Sequence, residues 1–377
     1  MSDGTRTGPG EHPTYAENDN QQRAGAVGAT LGKRLRERDV SAAPAALNLL
    51  ESTTAADREQ AAALLREVSP AALGGEAPGH IVGVTGPPGA GKSTLLSALL
   101  HAWRGTVNEA GGRAGGQDTG SQETGSQDTG GQETGSQSRT VAMLAVDPSS
   151  RRSGGSLLGD RARIEFDPTD RGVLIRSTAA GERLGGLAPA TRTAAQALAA
   201  AFDVVVIETV GVGQAETEVS DVADTVVVVV QPGSGDVLQF LKSGIMETPD
   251  VLVVTKADLG QIALATRRDL SAALRSLGTQ QGMSPTRVLA VSSLSPPQGI
   301  EELVGALDDH RSQLDVPARR LRARRAGAVL DFAEEHGERG LRAVGGRRAA
   351  ERLLEEQNPG LDARALVGVL ERTAEAS

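Results

Sequence analysis

Short apolar runs rich in β-branched residues recur through the middle of the chain, at 81–85, 140–146, 173–176, 203–208, 225–230, 251–255 and 287–291. They have strand length, and several are separated by Ala/Leu-rich stretches with helical spacing, such as 188–202 and 263–277. Near-continuous apolar strands alternating with helices predict an α/β fold. Its sheet is mostly parallel and covered by helices on both faces, with ligands at the carboxyl ends of the strands. This domain is expected over 76–316. Before it, 31–75 places Leu47, Leu49, Leu50 and then 61–65 at helical positions up to Ser69-Pro70, which predicts a helical N-terminal extension. After it, 317–377 is dominated by Arg, Ala, Glu and Leu without strand patterns, which predicts a C-terminal helical region. Residues 1–30 hold Gly, Pro, Asn, Gln and charge with few apolar positions and are expected to be disordered.

One segment interrupts this alternation. From 111 to 138 the pentapeptides Gly116-Gln-Asp-Thr-Gly120, Ser121-Gln-Glu-Thr-Gly125, Ser126-Gln-Asp-Thr-Gly130 and Gly131-Gln-Glu-Thr-Gly135 follow one another. A period of five without apolar residues cannot bury a face, so the tract is expected to be a solvated, disordered insertion.

The first strand leads into Gly86-Pro-Pro-Gly-Ala-Gly-Lys-Ser93, and good helix formers follow it. This fills every fixed position of G-x-x-x-x-G-K-[ST] in the strand–turn–helix setting that the motif needs. Glycines let the backbone wrap an anion, and successive N–H groups and the helix N-terminus point at it. Lys92 reaches the outer phosphates and Ser93 can hold Mg²⁺. The expected contacts of a nucleoside triphosphate are Gly86, Pro87, Pro88, Gly89, Ala90, Gly91, Lys92, Ser93 and Thr94.

Composition removes several competing classes. Without cysteine there is no disulfide framework and no thiolate metal site, and five scattered histidines leave little material for a His-built metal centre or a Ser/His/Asp triad. Each histidine reads as structural or solvated. A formal net charge of −9 and 2% aromatic residues argue against a nucleic-acid partner. The longest valine run, 226–230, is far below the roughly 20 residues that span a bilayer, and the N-terminus lacks a basic-then-apolar leader pattern. No membrane association and a cytoplasmic location are expected.

Acidic and polar residues fall at the ends of the later strands. Asp147 follows the second strand, and Asp160 lies in Ser153-Gly-Gly-Ser-Leu-Leu-Gly-Asp-Arg161; either can bind Mg²⁺ or orient water, or serve as a turn residue and a helix cap. Glu208 ends another strand, three residues before Gly211, where nucleotide hydrolases place a metal-site acid and a glycine whose N–H meets the γ-phosphate. Gln214 is polar enough to position water but reads first as solvent-facing. Thr255-Lys256-Ala-Asp258 is similar to the guanine-reading N-K-x-D, in the T-K-x-D form of signal-recognition-particle GTPases. Its aspartate accepts from the ring nitrogen and exocyclic amine of guanine, a donor pair that adenine lacks, which favours GTP/GDP over adenine nucleotides. Ser292, Ser293 and Leu294 end the next strand, where backbone N–H groups can meet the base oxygen. The basic run at 319–325 reads as a solvated helix face or, second, as a contact for an acidic partner surface.

Together with the phosphate loop, a series of segments resembles the MeaB/ArgK family of P-loop GTPases. They are Val146-Asp-Pro-Ser-Ser150, the segment ending at Arg161, Leu184-Gly-Gly-Leu-Ala188, Glu208-Thr-Val-Gly-Val-Gly-Gln-Ala-Glu216, Asp221-Val-Ala-Asp-Thr225, Pro232-Gly-Ser-Gly-Asp236 and Lys242-Ser-Gly-Ile-Met-Glu247. The resemblance covers roughly 75–305. It implies a homodimeric, Mg²⁺-dependent GTPase that escorts an adenosylcobalamin-dependent acyl-CoA mutase, gating cofactor loading and protecting that enzyme. By it, Lys92 and Ser93 take phosphate and Mg²⁺ roles, Asp147, Asp160 and Glu208 metal and water-positioning roles, and Asp258 the guanine role. The helical C-terminus would be a dimerising arm. Thr255 stands where the family usually has Asn, Ser293 where it usually has Ala, and the repeat is additional. The family was also described as kinases of basic amino-acid transport, which leaves an ATP-dependent kinase as a second reading and a nucleotide-switched scaffold as a third.

Overall fold

Seven parallel strands make one sheet in the computed structural model, which describes residues 15–105, 138–147, 164–179, 187–209, 218–233, 249–281 and 286–376. In chain order they are β1 (His80–Thr85), β2 (Val141–Asp147), β3 (Val173–Ala179), β4 (Val204–Thr209), β5 (Thr225–Val230), β6 (Val251–Val254) and β7 (Arg287–Ala290). Their order across the sheet is β3-β2-β4-β1-β5-β6-β7. The helices are α1 (Tyr15–Arg36), α2 (Ala43–Glu51), α3 (Ala55–Glu67), α4 (Pro70–Leu73), α5 (Lys92–Arg104), α6 (Pro189–Leu198), α7 (Gln261–Gln281), α8 (Ile300–Gln313), α9 (Val316–Ala343), α10 (Arg347–Glu355) and α11 (Ala363–Glu375). Every residue of β1, β4, β5 and β6 is buried, so these strands are covered on both faces, and their middles are apolar rather than alternating.

Side-chain alternation divides the core into two layers. Ile81, Val205 and Ile207 face a layer closed by α1, α2, α3, α6 and α7, through residues such as Leu35, Leu47, Leu64, Leu198 and Leu270. Val82, Val84 and Val206 face a second layer, closed by α5 and α8 through Leu95, Leu96, Leu99, Ile300 and Leu303. The N-terminal helices therefore share the sheet's own core. The C-terminal helices α9, α10 and α11 build a smaller core around Phe332, Ala350, Leu354 and Leu366.

Two expectations change here. Helix α1 begins at Tyr15, inside the segment expected to be disordered. Its small residues, which lowered the apparent hydrophobicity, are what allow it to pack: a Cβ on Gly28 would strike the Gln60 backbone, and one on Gly32 would lie 2.6 Å from the Leu64 carbonyl oxygen. At i and i+4 the two glycines share one helical face, so α1 and α3 meet backbone to backbone. The pentapeptide repeat at 116–135 lies outside the described residues.

The second change concerns the basic run. Arg320 and Arg324 on α9 are buried, not solvated. Arg320 donates from Nε and Nη2 to the two carboxylate oxygens of Asp224, at 2.8 and 2.6 Å, and from Nη1 to the Ala77 carbonyl at 2.7 Å. Asp224 also accepts from Arg311 at 3.0 Å and from the Ile81 N–H at 2.9 Å. Burial pushes the Asp224 carboxyl up, but the bonds and charge of Arg320, the Ile81 N–H and Arg311 outweigh it and hold the group below its usual range. Arg324 pairs with Glu76 at 2.7 Å, Arg319 with Asp250 at 3.3 Å, and Arg325 donates to the Glu355 carbonyl at 2.8 Å. The run is a clasp that fixes α9 across the amino ends of β1 and β5. Removing one partner of such a buried pair costs about 3–5 kcal/mol. Farther along α9, Asp331 pairs with buried Arg192 of α6, which also donates to the Leu187 carbonyl and to Glu218.

Beside this clasp, His80 Nε2 lies 2.8 Å from Thr225 Oγ1, which lies 2.8 Å from His310 Nδ1; His310 Nε2 is 3.2 Å from Asp250. Burial, reinforced by the positive charge of Arg311, lowers the His80 pKa to about 3, against the opposing pull of Asp224 and Asp308. His80 therefore stays neutral when folded and takes up a proton on unfolding at any pH between about 3 and the unfolded value near 6.5. Its contribution to stability is complete above about 6.5 and declines as pH falls toward 3. We expect urea-unfolding free energies of a His80→Gln protein to lose about 1.4 kcal/mol per pH unit less than the natural chain between pH 6 and 4.5. Parallel slopes in the two proteins would contradict a neutral, buried His80.

Candidate nucleotide site

The loop after β1 is shaped by what its glycines must pass. Gly86 has φ +143°, and a Cβ there would collide with the Val229 carbonyl oxygen of β5, so only glycine fits. Gly91, at φ +90°, is the residue from which α5 starts, and its left-handed conformation turns the chain directly into the helix. Between them the backbone bends into a concave turn over the amino end of α5, where N–H groups without intrahelical partners gather. Lys92 is buried in this turn, and its Nζ donates to the carbonyls of Gly86 at 2.7 Å and Pro87 at 3.3 Å. Glycine conformation, helix N-terminus and ammonium group together fit a polyphosphate.

Next to the loop, Ser93 Oγ donates to Glu208 Oε1 at 3.2 Å. Glu208 is buried at the carboxyl end of β4, in register with Val84 of β1 and Ala145 of β2. A hydroxyl and a carboxylate meeting at a phosphate-binding turn are all-oxygen donors, the set that suits a hard divalent cation such as Mg²⁺. Asp147 closes β2 beside them, paired in register with Ala179. The Asp147 side chain, Asp160, Gly211 and Gln214 lie outside the described residues.

The base-reading candidates form a second cluster on the other side of β1. Asp258 Oδ1 accepts from Ser292 Oγ at 2.8 Å, and the same Ser292 oxygen accepts from the Leu294 N–H at 3.3 Å. The Ala257 N–H donates to the Val291 carbonyl at 2.9 Å, joining the ends of β6 and β7. Lys256 takes up φ +53° and its Nζ donates to Gln231 at 3.0 Å. Ser293 is half-buried between Ser292 and the exposed Leu294.

Thr255 links the two clusters. It is buried, and its Oγ1 lies 2.7 Å from the Ala90 carbonyl and 3.1 Å from the Val230 carbonyl, so its hydroxyl ties the phosphate loop to β5 and β6. Sequence reasoning placed Thr255 among nucleotide contacts because of its motif position; a role toward the loop backbone has no pattern in the sequence.

Among the described residues one other group has metal-type ligands close together, Glu335, His336 and Glu371 on α9 and α11. Arg58 and Arg364 already pair with Glu335, each at 3.3 Å, and Arg364 also with Glu371 at 3.3 Å, so its negative charge is met within the protein. No helix among the described residues is long and apolar enough to cross a membrane.

Comparison with known proteins agrees with this geometry. The family model described as methylmalonyl-CoA mutase-associated GTPase MeaB matches residues 43–115 and 128–341. A protein of Pyrococcus abyssi named as a GTPase is 38% identical over 299 residues, 78% of this chain and 79% of its own length. A Mycobacterium tuberculosis protein, also named as a GTPase, is 37% identical over 306 residues, 80% of each chain. The crystal structure of a LAO/AO transport system kinase superposes with a TM-score of 0.57 at 26% identity, covering 93% of this chain and 98% of that one. With the phosphate turn, the parallel sheet and these matches in agreement, the chain belongs to the MeaB family of P-loop GTPases and is a GTP hydrolase.

Proposed function

We propose that the turn from Gly86 to Thr94 holds the phosphates of GTP, that Ser93, Glu208, Asp147 and Asp160 serve its Mg²⁺, and that Thr255, Lys256, Asp258 and Ser292 to Leu294 form the guanine side of the site. The observation that carries this reading is the Ser93–Glu208 contact at the amino end of α5, which brings a hydroxyl and a carboxylate from separate elements to the phosphate turn. Catalysis here is positioning and charge neutralisation rather than covalent chemistry. Backbone N–H groups of the turn and Lys92 meet charge developing on the transferring phosphoryl group. In this reading Glu208, with Asp147 and Asp160, would hold the metal and orient water, and the Gly211 N–H would meet the γ-phosphate. Mg²⁺, when bound, neutralises phosphate oxygens and withdraws charge from the leaving group. No arginine stands out as a finger in the sequence, so turnover on its own is slow. Asp258, hydrogen-bonded by Ser292, is the carboxylate that would accept from guanine's two donors, which favours GTP over the adenine nucleotide that a transport kinase would need.

We further propose that GTP hydrolysis times the interaction of this chain with an adenosylcobalamin-dependent acyl-CoA mutase, gating cofactor loading and protecting that enzyme. The support is the description of the family model. In this reading the protein works in the cytoplasm as a homodimer, with α9, α10 and α11 as the dimerising arm. Their separate apolar core suits that role.

Two outcomes follow. An Asp258→Asn protein should bind GTP at least tenfold more weakly, about 1.4 kcal/mol, and gain affinity for xanthosine nucleotides; unchanged GTP binding would remove Asp258 from the site. The candidate mutase, incubated with the immobilised protein loaded with GDP or a non-hydrolysable GTP analogue, should be retained to different extents in the two states. Failure to bind in either state would overturn the mutase assignment while leaving the GTPase assignment intact.

A further inference from the structure

β1 and β4 are valine- and isoleucine-rich strands that both end in threonine. Thr209 Oγ1 donates to Thr85 Oγ1 at 2.9 Å, and both residues are fully buried. Valine would occupy the same volume with higher apolar burial. Two hydroxyls in such a place cost desolvation unless they bond each other, and replacing both by apolar groups of the same shape can be nearly neutral. Stability alone gives no reason for the pair.

Position gives one. Thr85 directly precedes Gly86, the residue wedged against Val229, and Thr209 directly follows Glu208. Alternation puts Glu208 on the sheet face covered by α5, with Val84 and Val206, and puts Thr85 and Thr209 on the opposite face, with Ile81 and Ile207. The front of this strand pair holds the Ser93–Glu208 contact; its back holds the hydroxyl pair. A directional bond between adjacent strand ends fixes their spacing in a way that a valine contact, which is non-directional, does not.

We propose that Thr85 and Thr209 are a positioning pair for the GTPase centre, a bond behind the sheet that sets Glu208 against Ser93 for the metal. This rests on the reading of Ser93 and Glu208 given above, and the test separates the two. The readout is the rate of release of a fluorescent GDP with EDTA divided by the rate with excess Mg²⁺; this Mg²⁺ ratio reports metal engagement without turnover. In the natural chain Mg²⁺ should slow release, and Ser93→Ala should abolish the effect. A Ser93→Ala protein that keeps it would overturn the site reading itself.

With that control in place, Thr209→Val should lower the Mg²⁺ ratio about tenfold, equivalent to about 1.4 kcal/mol of metal engagement, and should weaken urea stability because Thr85 loses its partner. The double variant Thr85→Val with Thr209→Val should recover stability but not the ratio. A double variant with the natural ratio would overturn the proposal and make the pair merely structural. If the double variant does not fold, Thr209→Ser and Thr209→Ala decide: serine should restore the ratio and alanine should not, and equal ratios would overturn the proposal.

Discussion

The closeness of Gly86 to the Val229 carbonyl constrains everything above it on the sheet. The chain leaves β1 between two occupied strands, and it can turn over β5 only where no side chain intervenes. That passage aims the following residues at the amino end of α5, which is why phosphate-binding N–H groups, Lys92 and Ser93 come together within a few residues. β4 lies on one side of β1 and presents Glu208 to Ser93; β5 lies on the other, and β6 beyond it presents Thr255 to the loop carbonyl of Ala90. The phosphate turn and the proposed base side are thus parts of one hydrogen-bonded rim.

The opposite rim is equally polar but is used for assembly. Asp224 precedes β5 and draws Arg311, Arg320 and the Ile81 N–H to one carboxylate, and His80, Thr225, His310 and Asp250 continue the network sideways. Through these groups α9 is fastened to the amino ends of β1 and β5, while the carboxyl ends of the same strands bear the nucleotide site. The clasp and the site therefore act on the same two strands from opposite ends. The Arg192–Asp331 pair adds a second attachment of α9, next to Glu218, ten residues beyond Glu208 in the chain.

How much of this was legible depended on whether chemistry was local. The seven strands could be read because each contains a short apolar run, and the phosphate turn because its glycines, lysine and serine fall within eight consecutive residues. Asp258 could be read from a four-residue motif, but its partner Ser292 only as the end of the next strand. The basic run at 319–325 misled because a run of arginines on a helix looks solvated unless one knows that Asp224, Glu76 and Asp250 converge on it from distant positions. Helix α1 misled for a related reason: Gly28 and Gly32 count as disorder-promoting residues in composition, yet serve close packing once α3 lies against them. Thr85 and Thr209 are single hydroxyls ending valine-rich strands, and nothing short of the register between β1 and β4 pairs them.

In the proposed reading, the rim built by Thr255, Asp258 and Ser292 makes the phosphate turn specific for guanine nucleotides. The most direct test is hydrolysis of GTP and of ATP by the full chain, each alone with Mg²⁺ and then GTP in the presence of excess ATP. Phosphate release is expected from GTP, none above background from ATP, and no competition by ATP. Equal turnover of ATP, or inhibition of GTP hydrolysis by it, would contradict a guanine-specific site.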